Sequence, residues 1–151
     1  MTANSARMRI CEALEGISAV RFVRTADVDV EDACRRFRSE GYEVTDWLRS
    51  FIRDYSGLTV GWKGVRGGDN EFSTAVEDAL DAFLPNIRIY SRRLGCLALP
   101  IGVAFATEER MLLSEFDDVI LGGDAGLQRV GKGFEASMCA LVTGQWDKTF
   151  F

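Results

Sequence analysis

Leu94-Gly95-Cys96-Leu97-Ala98-Leu99-Pro100-Ile101-Gly102-Val103-Ala104-Phe105-Ala106-Thr107-Glu108-Glu109-Arg110-Met111-Leu112-Leu113-Ser114-Glu115-Phe116-Asp117-Asp118-Val119-Ile120-Leu121 is the stretch on which the fold turns. From Cys96 to Ala106 every odd position is large and apolar, and every even one is Cys, Ala, Pro or Gly. A period of two is the mark of a strand, whose successive side chains point to opposite faces. Leu97, Leu99, Ile101, Val103 and Phe105 are therefore expected to fill a core, while the nearly flat opposite face lets another element approach closely. Thr107 to Arg110 reads as an exposed turn. Residues 111–116 pair back as a second strand, Asp117-Asp118 turns again, and Val119-Ile120-Leu121 forms a third strand ended by Gly122-Gly123.

Working outward, helical periodicity appears on both sides of this meander. Residues 5–16 place Ile10, Ala13, Leu14 and Ile17 on one stripe, with Ser5 as cap. Residues 27–40 carry Val30, Ala33, Cys34 and Phe37 on one face, with acids in the first turn, Arg35, Arg36 and Arg38 near the end, and Gly41 as terminator. The third helix has the clearest ends: Thr45 caps it, Leu48, Phe51, Ile52 and Tyr55 form its stripe, and Gly57 closes it. Residues 58–65 alternate Leu58, Val60 and Trp62 against smaller or polar neighbours, as a strand does. Gly67-Gly68-Asp69-Asn70 reads as a turn. Thr74 and Glu77 have capping-box spacing ahead of a fourth helix with Val76, Ala79, Leu80, Phe83 and Leu84 inward and Pro85 as its stop. Residues 87–94 suit either a strand or a helix. Residues 122–126 form a flexible turn and 127–130 a short extension. A last helix over 133–142 turns Phe134, Met138, Leu141 and Val142 inward before Gly144.

At 151 residues and 47% hydrophobic content, the chain reads as one α+β domain, residues 1–151, with helices packed on an antiparallel-rich sheet. No apolar run reaches the roughly 20 residues that span a bilayer, and the beginning lacks the order of a secretory signal, so the expected compartment is the cytoplasm. The four cysteines, at 11, 34, 96 and 139, are too scattered for a zinc knuckle or a redox pair and read as free thiols. The chain has no histidine, which removes Ser-His-Asp and Cys-His catalysis and the commonest zinc ligand. Residues 1–68 hold 11 Lys and Arg against 10 Asp and Glu, whereas residues 69–151 hold 7 against 13. Such an acidic C-terminal part repels nucleic acid and membranes and suits a basic protein partner.

Two motifs invite chemistry that their spacing does not support. Gly61, Gly64, Gly67 and Gly68 with Lys63 and Arg66 match neither phosphate-binding glycine pattern and read as a glycine-rich hairpin. Asp27 to Glu31 resembles a calcium loop, but an EF-hand requires glycine at its sixth position, where this chain has Asp32. The acid pairs Glu108-Glu109 and Asp117-Asp118 are neighbours on turns rather than a catalytic pair held across a cleft. No catalytic, metal-binding or cofactor-binding residue is assigned.

Gly41-Tyr42, the helix end Phe51-Ile52-Arg53-Asp54-Tyr55-Ser56-Gly57-Leu58, the run Leu94-Gly95-Cys96-Leu97-Ala98-Leu99-Pro100-Ile101-Gly102, Met111-Leu112-Leu113, and Gly131, Phe134, Ala136, Leu141 and Gly144 occur in this order over residues 13–144. In these the chain resembles the third subgroup of the SUKH superfamily, the immunity proteins that accompany bacterial polymorphic toxins. The resemblance implies an α+β fold and a non-enzymatic protein that binds and neutralises a cognate toxin, with nucleases and nucleic-acid deaminases among the toxins so blocked. The matched residues are structural and mark no contact surface. The expected partner-binding residues are Asp117, Asp118 and Asp124, acids placed on turns beside the sheet, with Glu108 and Glu109 at the other end of the hairpin. A regulatory or scaffolding interaction module on the same fold is the alternative. A small-ligand protein or enzyme using the flat face of the central strand is the third reading, which the missing histidine disfavours.

Overall fold

A computed structural model describes residues 3–151. In chain order the elements are α1 (Ala3–Glu15), β1 (Val20–Thr25), α2 (Val30–Ser39), α3 (Asp46–Tyr55), β2 (Leu58–Lys63), β3 (Asp69–Ser73), α4 (Val76–Leu80), α5 (Leu84–Leu94), β4 (Ala98–Ala104), β5 (Glu109–Ser114), β6 (Asp118–Gly123), β7 (Gly126–Lys132) and α6 (Phe134–Thr143). The seven strands make one sheet in the order β1 to β7, every neighbour antiparallel. The expected meander is β4-β5-β6, and it continues into β7. The chain is thus a single α+β domain with helices packed against a seven-stranded antiparallel sheet.

The central strand departs from a simple two-faced reading. Leu99 pairs with Leu113 and Gly102 with Met111, leaving an irregularity between Pro100 and Gly102. Met111 and Leu113 share one face of β5, so Leu99 and Gly102 share one face of β4 and Val103, opposite Arg110, turns to the other. Leu99 and Ile101 are buried as expected, but Leu97, Val103 and Phe105 are only half-buried. Phe105 has already left the strand, at φ +69°. The small residues Ala98, Pro100, Gly102 and Ala104 are all buried. Neither face of β4 is open, because α4 and α5 pack against it and the Ser91 hydroxyl of α5 bonds both the N–H and the carbonyl of Ala98 at 3.1 Å.

Close approach at Gly102 sets how β3 leaves the sheet. A Cβ at Gly102 would stand 2.1 Å from the carbonyl oxygen of Ser73, so only glycine lets the chain cross there. β3 consequently pairs with β4 through just Phe72 with Ala104 and Ser73 with Val103 before the chain turns into α4. Thr74 anchors this departure rather than capping α4: its hydroxyl donates to the Tyr55 carbonyl at 2.6 Å and accepts from the Leu58 N–H at 3.0 Å. The N-cap of α4 is Ala75, and the capping box expected of Thr74 and Glu77 does not form.

Elsewhere the local signals hold with shifted ends. Thr45 accepts from the Leu48 N–H at 3.1 Å, and Gly57 takes φ +81° after α3. Asp29 rather than Asp27 opens α2, accepting from the Asp32 N–H at 3.0 Å. α1 starts at Ala3, which leaves Ser5 inside it, and Ala13 faces solvent. Residues 87–94 are helical, and Pro85 sits in the first turn of α5 instead of stopping α4, a position where its missing N–H costs no helical bond. Asp69 and Asn70, read as turn, belong to β3, and β1 carries no sequence signal strong enough to mark it. α6 ends at Gly144 with φ +71°, as its sequence predicts.

Phe134 of α6 joins the layers. Its ring lies 4.9 Å from Phe51, 4.8 Å from Tyr55 and 6.4 Å from Phe72, linking α3, α6 and the sheet. Ile101→Ala is expected to lower stability by about 2 to 5 kcal/mol by leaving a cavity, and Gly102→Ala by at least about 1 to 3 kcal/mol by overpacking. Urea unfolding checks both; a loss under about half a kcal/mol in either would contradict the packing of β4.

Candidate functional site

The β5–β6 turn is held rigidly at one end of the sheet. The buried Ser114 hydroxyl accepts from the N–H groups of Phe116 at 3.2 Å and Asp118 at 3.1 Å, and the Asp117 N–H donates to the Ser114 carbonyl at 2.9 Å. Asp117 takes φ +68°, a region Asp tolerates better than most residues. Its carbonyl accepts from the Gly133 N–H at 2.7 Å, tying the turn to the start of α6. Glu115 accepts from the Leu97 N–H at 2.8 Å through its carboxylate. Phe116 is left 62% exposed at the tip.

Between this turn, α3 and the beginning of α6 lies a cleft of about 440 Å³. Trp47, Phe51, Tyr55 and Phe134 give it aromatic walls, and Asp54, Glu115, Asp117 and Glu135 give it four carboxylates; no Lys or Arg lines it. Glu135 is held from outside. Arg9 Nε donates to its two oxygens at 2.9 and 3.0 Å, and the Tyr55 hydroxyl donates to Oε2 at 2.5 Å. The Arg9 hydrogen bonds, aided by Tyr55, hold the Glu135 carboxyl below the usual range, while burial and then the Glu135 contact push the Tyr55 phenol upward. Asp54 pairs with its neighbour Arg53 at 2.9 Å. Asp117 forms no ion pair among the described residues and sits beside the N-terminal end of α6.

The three expected partner-binding acids are not one patch. Asp117 is exposed and lines the cleft. Asp118 opens β6, keeps only 15% of its side chain exposed, and lies between Arg129 and Lys132, each at 3.7 Å. Asp124 is exposed on the β6–β7 turn, at the far end of β6, which at roughly 3.3 Å per residue is about 20 Å from Asp117. An antiparallel meander returns to the same end every second turn, so Asp124 shares its end with Glu108 and not with Asp117. The exposed-turn reading of residues 107–110 holds for Thr107 and Glu108 only. Glu109 is half-buried at the start of β5, where burial raises its carboxyl, and Arg110 is half-buried and reaches Asp81 at 3.6 Å.

Sequence marks Trp47 only as a core or core-edge residue of a type that also anchors interfaces, and gives Asp54 and Glu135 no role in a site. Trp47 and Asp54 lie seven residues apart on α3, a spacing that shares a helix face, but nothing local pointed either residue at the β5–β6 turn. Among the described residues no group of three or more His, Cys, Asp or Glu side chains is placed to hold a metal ion, and Cys11, Cys34, Cys96 and Cys139 are all free thiols. No described helix is long and apolar enough to cross a membrane. No family model, curated protein or solved structure matches the chain.

Because the Glu135 carboxyl is depressed in the folded state, its stabilisation is complete above the ordinary carboxylate range and is lost as pH falls through its lowered value. The stability gap between the native chain and Glu135→Gln should therefore be largest near pH 7 and close on acidification. Urea midpoints measured across that range check it; a gap independent of pH would remove the Arg9–Glu135–Tyr55 link.

Proposed function

We propose that this chain is a non-enzymatic immunity protein of SUKH-like fold that neutralises a cognate bacterial toxin by occluding its active site. The observation that carries this reading is a cleft lined by four carboxylates and no Lys or Arg, in which Glu115 and Asp117 form no ion pair among the described residues, walled by aromatic side chains and mounted on a rigid turn. The sequence resemblance and the seven-stranded sheet with its packed helices support it. A toxin that acts on nucleic acid presents a cationic groove for phosphates, and carboxylates held at fixed spacing stand in for those phosphates. Asp117 is the acid best placed for this, since it is exposed and has no ion-pair partner among the described residues. Phe116 beside it supplies an exposed aromatic of the kind that anchors interfaces. Asp118, already shared by Arg129 and Lys132, contributes to the structure of the turn instead.

Association kinetics with the toxin domain encoded beside this gene test the reading. Asp117→Lys should slow association by about tenfold at low ionic strength and by less at high salt. Asp124→Lys, at the other end of the sheet, should leave the rate unchanged. An unchanged rate in Asp117→Lys together with a loss in Asp124→Lys would move the interface to the Glu108 end. A neighbouring gene that encodes no toxin would remove the functional reading itself.

A further inference from the structure

Within the acidic C-terminal part of the chain, α5 has the opposite sign. α5 has no Asp or Glu and carries Arg88, Arg92 and Arg93, all exposed. Arg93 donates to the main-chain oxygen of Phe151, but Arg88 and Arg92 form no ion pair among the described residues, whereas Arg9, Arg35, Arg36, Arg49, Arg53, Arg110 and Arg129 all do. Arg88 and Arg92 are one helical turn apart and so lie on the same side of α5. Ile89 beside Arg88 is 42% exposed. This is an unpartnered helix face that combines two guanidinium forks with an apolar residue.

The chain itself offers the complementary shape. Glu115, Phe116 and Asp117 are consecutive and all exposed on a turn whose backbone is pinned by Ser114 and Gly133. We propose that a second copy of this chain docks here, the β5–β6 turn of one copy seating on the α5 face of the other. Guanidinium groups pair with carboxylates through two parallel hydrogen bonds, so Arg88 and Arg92 suit Asp117 and Glu115, and Ile89 covers the Phe116 ring. The net charge of −5 opposes long-range approach of any anionic partner, a second copy included, so docking rests on the short-range pairing of the acidic turn with the α5 guanidinium groups. A copy seated on the turn also covers one side of the acidic cleft, so a toxin and a second copy would compete for it. Self-association is measured without a toxin, and its outcome is therefore separate from that of the proposed function.

Sedimentation of the full chain at rising concentration tests the proposal. The expected result is reversible association with a dissociation constant on the order of 100 μM at low salt, weakened at least about tenfold in about 0.5 M salt. Arg88→Glu with Arg92→Glu should be monomeric, and so should Phe116→Lys with Asp117→Lys. Mixing the two variants should restore association, because reversing both sides regenerates opposite charges at each contact. Circular dichroism checks that each variant is folded, and the neutral pair Arg88→Gln with Arg92→Gln serves if the reversed helix is not. A native chain that stays monomeric up to about 1 mM would overturn the proposal. Association untouched by either variant would do so too, as would a mixture that fails to associate while both variants are folded. A face that binds only added DNA or anionic vesicles would assign α5 to another partner.

Discussion

β4 is buried on both faces, and a strand in that position has to satisfy two neighbours at once. On one side Leu99 and Ile101 supply core volume; around them Ala98, Gly102 and Ala104 keep the backbone accessible to elements that could not otherwise come near. The contact between Gly102 and the Ser73 carbonyl is the tightest case. It fixes where β3 ends, and with it the start of α4, the path into α5, and the return of the chain to β4. A side chain at that point would force the β3–β4 pairing apart, and the helices between the two strands would lose their seat.

Hydroxyls, buried at Thr74 and Ser114 and half-buried at Ser91, do much of the joining. Ser91 ties α5 to β4 through both backbone groups of Ala98, Thr74 ties the end of α3 to β2, and Ser114 closes the β5–β6 turn. Each satisfies backbone groups that a turn or crossing would leave unpaired in the interior, where an orphaned donor costs about 1 to 3 kcal/mol. The same economy makes the acidic cleft rigid. Its carboxylates stand on a pinned turn and on two helices locked through the Phe134 ring cluster, so ordering them for a partner requires little further loss of entropy.

Charge is distributed by element more than by residue number. The acidic excess after residue 68 divides between the cleft end and the Glu108–Asp124 end of the sheet, while α5 inside that segment is purely basic. A partner therefore meets a molecule with distinct acidic and basic faces, and the sign of its own surface selects where it lands.

What the sequence determined by itself is local. The period-two run of β2, the helical stripes of α2, α3 and α6, and the caps at Thr45, Gly57 and Gly144 depend on neighbours within a few residues, and each formed where it was read. Asp69 and Asn70 became strand against their own propensity because β2 offered an antiparallel partner, and Thr74 gave up the capping role its spacing suggested because two backbone groups of other elements needed its hydroxyl. The irregularity that turns Val103 away from the face of Ile101 likewise depends on register with β5. The acidic site divides in the same way: sequence shows that Asp117, Asp118 and Asp124 lie on or beside turns, but only strand direction decides that Asp117 faces α3 and α6, that Asp118 is neutralised by β7, and that Asp124 lies a strand's length away. Turn chemistry is written in adjacent residues, whereas which turns share an end of a sheet follows from how the whole chain folds back on itself.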